Sequence, residues 1–324
     1  TARWSFGRRF SRAFIESVAQ AFIDALGRLV EHCLEDGAFG YTPSDFEHAE
    51  LTQPELDSLL TRAGLRERGN VEDIYPLSPM QHGMLFHSLY ALASGMYYEQ
   101  VSLTLTGALD PEVLLEAWHD TVRRHGTLRT SFAWEGLSRP LQIVQSNVRG
   151  RTAVHDWRRR ASEEQAAAFE ALLAERRREG FTLSEAPISC VDLVRMADDD
   201  SRFVLGFHHL LLDGWSMAHV FAETFRSYAA LVKNEPRPAV AAALPYRAFI
   251  AWQRCQDRAR AEAYWRDALL GFRAPTPLFW DKAAHIGAGD SMKRQIVLER
   301  SLGQELTDAT RAFARLCGVT VATV

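Results

Sequence analysis

The feature that most constrains this chain is an apolar run that stops on two adjacent histidines. Phe203 to Phe207 reads as a buried strand. His208 and His209 follow, then Leu210-Leu211-Leu212, then the turn signal Asp213-Gly214. From about Ser216 to Val232 apolar residues return at helical spacing: Val220, Phe221, Thr224, Phe225, Tyr228 and Leu231. Such a strand–loop–helix unit delivers imidazole to the mouth of a loop. Imidazole is the side chain whose unperturbed pKa lies nearest neutrality, which suits acid–base work. Neighbouring residues of a strand point to opposite faces. His208 and His209 therefore face one substrate together only if the strand has already ended. One is expected to pack or hold backbone while the other reacts. Asp213 lies five residues after His208, where it can pair with a cation and brace the turn. Gly214 permits a positive φ or close backbone approach.

The rest of the chain reads as alternating helices and strands. Ser11 to Leu34 is a helix with Phe14, Val18, Phe22, Leu26 and Leu29 on one face, and Gly37 just past its end. It is expected to pack on something absent. Arg3-Trp4-Ser5-Phe6 before it reads as a strand. Gly40 to Phe46 reads as turn and linker, and Thr52 with Glu55 as a capping box opening a short helix. The polar stretch Arg62 to Asn70 is the expected domain boundary. Ser78 caps a helix that begins at Pro79. Glu99 to Leu105 alternates as a half-buried strand. Asp110-Pro111 starts a helix whose inner face carries Leu114, Leu115, Trp118 and Val122. Phe132 to Val144 is a hairpin around Glu135-Gly136, and Val154-His155-Asp156 a short strand. Ala161 to Glu179 is a helix with a solvated arginine face. Pro187 to Met196 is a strand that turns at Asp198-Asp199-Asp200. Pro236 to Pro245 is a linker, followed by helices from Pro245 and through Ala261 to Arg266, with a break at Ala274 to Leu278. Lys293 to Leu298 is a strand and Leu302 to Leu316 a helix. The hairpins imply a mixed sheet flanked by helices, an α+β fold.

Composition removes several function classes. The formal net charge is -4 and the pI about 6.3, so there is no electrostatic footprint for nucleic acid. Cys33, Cys190, Cys255 and Cys317 are scattered with no CxxC pair, which fits free thiols in a reducing, cytoplasmic setting. The histidines show no metal-ligand spacing, so no metal is expected. No signal peptide or long uncharged apolar stretch points to a membrane. GxGxxG, GxxxxGK[ST] and GxSxG are absent, and Ser216 is not in a nucleophile elbow. The opening strand and the uncapped apolar ending, Val319 to Val324, read as a segment of a longer polypeptide.

The run His208-His209-Leu210-Leu211-Leu212-Asp213-Gly214-Trp215-Ser216 resembles the HHxxxDG signature of nonribosomal peptide synthetase condensation domains, relatives of chloramphenicol acetyltransferase. Ser78-Pro79-Met80-Gln81-His82-Gly83-Met84-Leu85-Phe86-His87 is similar to the family's first motif, in the form that accepts a D-configured donor. Arg124-His125-Gly126-Thr127-Leu128-Arg129-Thr130-Ser131-Phe132 resembles its RHxxLRTxF motif, and Pro245 to Trp252 its next one. Residues 1–65 resemble the tail helix and linker of an upstream epimerization or condensation domain, with Gly40 to Phe46 resembling an epimerization-domain exit. Residues 70–240 then form the N-terminal lobe, and 241–324 linker helices and the start of a truncated second lobe.

The resemblance implies a chloramphenicol-acetyltransferase-like lobe and peptide-bond formation between two thioesters. Each is carried on the phosphopantetheine of a peptidyl carrier domain, upstream or downstream, with epimerization and adenylation domains as neighbours and no cofactor bound directly. It implies His209 as base or orienting group, Gly214 as a backbone donor to the oxyanion, and His208, Asp213, Arg124 and Arg129 as structural residues. Arg124 or Arg129 is the expected ion-pair partner of Asp213. Ser78, Met80, Gln81, Trp215 and Ser216 are candidates to line the substrate tunnel, whereas His82 and His87 read as helix-surface residues. An epimerization domain shares HHxxxDG but typically carries DGxSW, where this chain has Asp213-Gly214-Trp215-Ser216-Met217. A non-catalytic recruiting domain of the same fold usually has a degraded histidine motif, and this one is intact.

Overall fold

The computed structural model describes residues 2–35, 40–65, 69–90, 95–237, 244–274 and 300–324. The chain divides into two compact units, residues 1–265 and 266–324.

In the first unit, helix α1 (Arg12–Cys33) is capped by Ser11, whose hydroxyl accepts from the Phe14 N–H at 3.2 Å. None of its residues is buried, and Phe14, Phe22 and Leu29 stand exposed. The strand expected at Arg3 to Phe6 does not form. Among the described residues no second strand lies beside it to complete a ladder, and Trp4 instead meets Phe22 edge-on at 5.6 Å. A 3-10 turn (Pro43–Phe46) and α2 (Gln53–Arg62) come next, and in α2 the Thr52 N–H donates to the Glu55 carboxylate at 2.8 Å.

Two sheets follow. The first is antiparallel, in the order β1 (Val71–Pro76), β4 (Leu141–Gln145), β3 (Thr130–Ala133). The second is mixed, in the order β2 (Tyr98–Thr106), β7 (Asp200–His208), β6 (Ser189–Arg195), β5 (Arg151–Asp156), with only β5 and β6 parallel. Between them in sequence lie α3 (Pro79–Tyr90), α4 (Pro111–Arg124) and α5 (Ser162–Glu179). After β7 come α6 (Gly214–Val232), α7 (Tyr246–Arg254) and α8 (Arg258–Ala268).

The central place of β7 explains why its run is apolar without a break. Phe203, Leu205 and Phe207 point one way, into a core shared with Leu114, Trp118 and Val122 of α4 and Val220 of α6. On the opposite face Gly206 lies under Tyr98, its partner strand's aromatic. A Cβ there would fall 2.6 Å from the Tyr98 hydroxyl, so no larger residue fits without displacing the ring. Helix α5 lies on that second face. Its arginines are not all solvated as expected: Arg176 reaches in to form a bidentate pair with buried Asp192, both bonds at 2.8 Å, and His155 meets the same carboxylate. Asp192 is held down to about 2 against its own burial by these partners. A carboxylate under the sheet draws the nearest guanidinium because burying it unpaired would be costly.

The stretch from Tyr41 to Leu65 does not behave as a free linker. Phe46, Leu56, Leu59, Leu60 and Leu65 bury with Val71, Ile74, Leu141 and Ile143 in one apolar cluster on the first sheet. The Tyr41 hydroxyl bonds the Val71 backbone. Glu50, in left-handed backbone at φ 51, is gripped by Arg139 of the β3–β4 hairpin at 2.8 Å and by Arg254 of α7. The boundary expected at Arg62 to Asn70 partly falls on residues 66–68, outside those described, as do Gly37, most of the 236–245 linker and the Lys293–Leu298 strand. In the second unit, α9 (Gln304–Cys317) ends on Gly318 in left-handed backbone, φ 66.

Leu56 is fully buried in the 41–65 segment. Leu56→Ala is expected to lower stability by about 2–5 kcal/mol, read from the urea midpoint at unchanged slope. A loss under about 0.5 kcal/mol would mean that this segment lies outside the cooperative unit.

Candidate active site

The site forms where β7 ends. His208 is the last strand residue and is buried, and His209 begins the loop partly buried. The ladder reaches one step further, because the His209 N–H donates to the Tyr97 carbonyl at 2.8 Å. The two imidazoles thus divide as the strand's alternation requires.

Each ring is fixed by different partners. The Ser88 hydroxyl donates to the Met84 carbonyl at 2.8 Å, so it can only accept from His208 Nε2, 3.1 Å away. That places the His208 proton on Nε2 and leaves Nδ1 free to accept the Leu210 N–H at 3.2 Å. Burial, with the neighbouring His209 adding to it, pushes the His208 imidazole down to about 4, so it is neutral near neutral pH. His209 is oriented the opposite way. Its Nδ1 lies 2.6 Å from the Leu212 carbonyl, which can only accept, so Nδ1 carries the proton. The Nε2 lone pair is then left without a partner in the loop.

Leu210, Leu211 and Leu212 are all buried and pin the loop to the core. Asp213 caps α6: its carboxylate accepts from the Ser216 N–H at 2.8 Å and the Ser216 hydroxyl at 2.6 Å. These bonds hold its pKa below the usual carboxylate range. Gly214 is the first residue of α6, so its N–H has no acceptor within the helix and stands at the positive end of the helix dipole.

The ion pair expected between Asp213 and Arg124 or Arg129 does not form. Buried Arg129 pairs with Glu72 at 2.6 Å and donates to the carbonyls of Val122 and Gln145. Arg124 donates to the Ser227 hydroxyl at 2.8 Å. The short Asp213 side chain is satisfied by its own helix, three residues on, before any guanidinium is needed. Among the other sequence candidates, Met80 and Trp215 are strongly exposed, while Ser78 and Gln81 are buried. Ser78 and Gln81 bond one another: the Ser78 N–H donates to Gln81 Oε1 at 3.0 Å, and the Gln81 N–H to the Ser78 hydroxyl at 3.3 Å. Their reciprocal bond is the cap of α3. His82 and His87 are exposed on α3.

Sequence reasoning missed Ser88 and Tyr246. Ser88 had a signal, since Gln81, Leu85 and Ser88 share one helical face at spacings of four and three. A buried leucine between two polar residues marks a stripe whose polar members need partners. Tyr246 had none, because it stands far along the chain from the loop it approaches.

Residues 71–324 match the family model described as condensation domain. The chain belongs to the condensation-domain family. It is 39% identical over 313 residues to a component of the linear gramicidin synthase of Brevibacillus parabrevis, covering 96% of this chain and 6% of that protein. Bacitracin synthase 1 of Bacillus licheniformis is 32% identical over 319 residues, 98% of this chain and 6% of the relative. The chain therefore spans a small part of the synthetases it matches. Among solved structures, the first condensation domain of the calcium-dependent antibiotic synthetase superposes with a TM-score of 0.60 at 22% identity, over 77% of this chain and 58% of that one. That likeness carries the fold: a condensation-domain lobe of mixed sheet and flanking helices. Among the described residues, no helix is long and apolar enough to cross a membrane.

A buried imidazole with a depressed pKa ties stability to pH. Unfolded, His208 takes up its proton near 6.5; folded, only near 4. Its contribution is complete above about 6.5 and is lost as pH falls from there to about 4, on the order of 3 kcal/mol in all. In urea unfolding at successive pH values, His208→Gln should flatten that part of the decline. Parallel wild-type and variant curves across the window would remove the assignment.

Proposed function

We propose that this condensation domain joins two carrier-bound residues through an amide bond, with His209 as the group that handles the acceptor's proton. The observation that carries the reading is the fixed tautomer of His209, whose Nδ1 is committed to the Leu212 carbonyl while Nε2 stays free on a partly buried residue. Both substrates are thioesters on phosphopantetheine arms. One is held by an upstream and one by a downstream peptidyl carrier domain, with adenylation and epimerization domains as neighbours in a cytoplasmic synthetase.

The chemistry follows from what each group can do. The acceptor's α-amine, with a pKa near 8, must react in its neutral form. Its nitrogen attacks the donor thioester carbon, and His209 Nε2 accepts a proton from that nitrogen, or orients it by hydrogen bonding. The former carbonyl oxygen carries the negative charge of the tetrahedral intermediate. The Gly214 N–H, at the start of α6, is the donor we assign to it. As the intermediate collapses, the C–S bond breaks and the imidazolium returns a proton to the departing thiolate. The peptide now sits on the acceptor's arm. Because a thioester is already reactive, alignment of the two arms supplies a large share of the rate, with a ceiling of roughly 7–11 kcal/mol for well-oriented groups.

The donor is proposed to be D-configured. Its support is the Ser78-Pro79-Met80-Gln81 form of the first motif, beside an N-terminal segment similar to the tail of an epimerization domain. Residues 1–65 would then belong to that upstream domain and its connection.

The test is single-turnover condensation on the synthetase, with donors loaded on the upstream carrier in D and L form. His209→Ala is expected to reduce the rate by about 10²–10⁴-fold in a folded protein. The wild type should prefer the D donor. An undiminished rate in the variant would end the role of His209, and equal rates for the two donors would end the stereochemical assignment.

A further inference from the structure

We infer that Gln81 and Tyr246 are positioning residues for His209, forming a buried polar relay that fixes the loop from the side opposite His208. The inference rests on the amide-forming reading above. The peptide units on both sides of Leu210 are held. Its N–H goes to His208, and its carbonyl accepts from Gln81 Nε2 at 3.0 Å. Leu210 lies between His209 and Leu212, the carbonyl that fixes the tautomer. A rotation of the 210–211 peptide would move the Leu212 carbonyl away from the imidazole.

Gln81 is a hub with every polar atom in use. Its Nε2 also lies 3.4 Å from Gln142 Oε1, while its Oε1 accepts from the Ser78 N–H at 3.0 Å, Gln142 Nε2 at 3.2 Å and the Tyr246 hydroxyl at 3.3 Å. Gln142 Nε2 in turn donates to the Pro76 carbonyl at 3.0 Å. The carboxamide orientation is thereby decided: three donors surround Oε1, so Nε2 must face Leu210. Tyr246 opens α7, its ring tilted against Tyr75 of β1 at 6.3 Å. Burial pushes its phenol up, so the hydroxyl stays protonated and can donate. The relay thus runs from α7, through the start of α3, to the backbone of the catalytic loop. A carboxamide so engaged has no polar atom left for substrate, which separates positioning from tunnel lining.

Three variants of the synthetase test this: Tyr246→Phe, Gln81→Leu and Gln81→Glu. Each is read in two ways. One is single-turnover amide formation with both carriers saturating. The other is the pH-dependent rate at which diethyl pyrocarbonate modifies His209, followed by mass spectrometry. Tyr246→Phe deletes one hydroxyl and is expected to slow turnover about three- to tenfold. Gln81→Leu should slow it about 10²-fold, the scale of a misplaced reacting group. Gln81→Glu keeps the acceptor and the shape but loses the donor to Leu210, and should behave like Gln81→Leu. Adding Tyr246→Phe to Gln81→Leu should cost nothing more, since both act through one relay. All three should alter the modification rate of His209 with the carriers' KM unchanged. Wild-type turnover together with wild-type modification of His209 in Tyr246→Phe and Gln81→Leu would overturn the inference. Should a Gln81 variant fail to fold, Tyr246→Phe decides alone. The modification assay does not depend on amide formation, so it reports on positioning even where His209→Ala shows the catalytic reading to be wrong.

Discussion

One hydrogen bond, from His209 Nδ1 to the carbonyl of Leu212, decides which face His209 presents, and the proposed function depends on it. An imidazole free to choose its tautomer presents a donor or a lone pair at random. Bound to a carbonyl three residues ahead in its own loop, it presents the lone pair at Nε2. The bond exists only if the chain turns at once after β7, so that the carbonyl of the third residue folds back over the ring. That requirement explains the three leucines. Their side chains are buried in the core that serves β7, α4 and α6, and anchor the turn with apolar surface.

A loop pressed into the core in this way must satisfy its backbone without water. The structure does so with groups of the loop itself and one side chain from a sequence-distant helix. His208 takes the Leu210 N–H, and Gln81 takes the Leu210 carbonyl. The Leu211 N–H closes on the His208 carbonyl at 2.9 Å. A polar residue beside His209 could equally have been a charged one. Its being a neutral imidazole matters for the role proposed for His209, since a buried cation there would disfavour the protonated state that a base must pass through. The depressed pKa of His208 follows from burial first, and the neutral neighbour it gives His209 follows from that.

The sequence made legible whatever is decided by neighbours a few residues apart. The strand of Phe203 to Phe207, the caps at Thr52, Ser78 and Asp110, and the divergence of the two histidines all rest on periodicity or on short side-chain reach. The misses have different physical origins. A carboxylate near a loop calls for a cation, yet at Asp213 the helix start offers N–H groups closer at hand, three residues on. The charged neighbours of Arg176 point to solvent, while its partner Asp192 stands on β6, an element whose position is not written in the local pattern. Residues 3–6 have strand-like composition but, among the described residues, no adjoining strand.

Helix α7 shows how far this goes. Its first residue, Tyr246, meets Gln81 across 165 positions of sequence, and its last, Arg254, meets Glu50 across 204. At about 1.5 Å per residue these ends stand about 12 Å apart, on one rigid body. One end touches the polar network that holds the Leu210 carbonyl, and the other grips the turn leading into α2, whose leucines share a core with β1 and β4. The ionic contacts at Glu50 are exposed and contribute little stability of their own. What they add is direction. With Phe46 and the α2 leucines already buried, two guanidinium groups on one carboxylate fix how α7 lies along the first sheet. The orientation of Tyr246 toward Gln81 then follows from packing that begins two hundred residues earlier in the chain. Substitutions in the 41–65 segment therefore belong among those that can disturb the geometry of His209 without touching it.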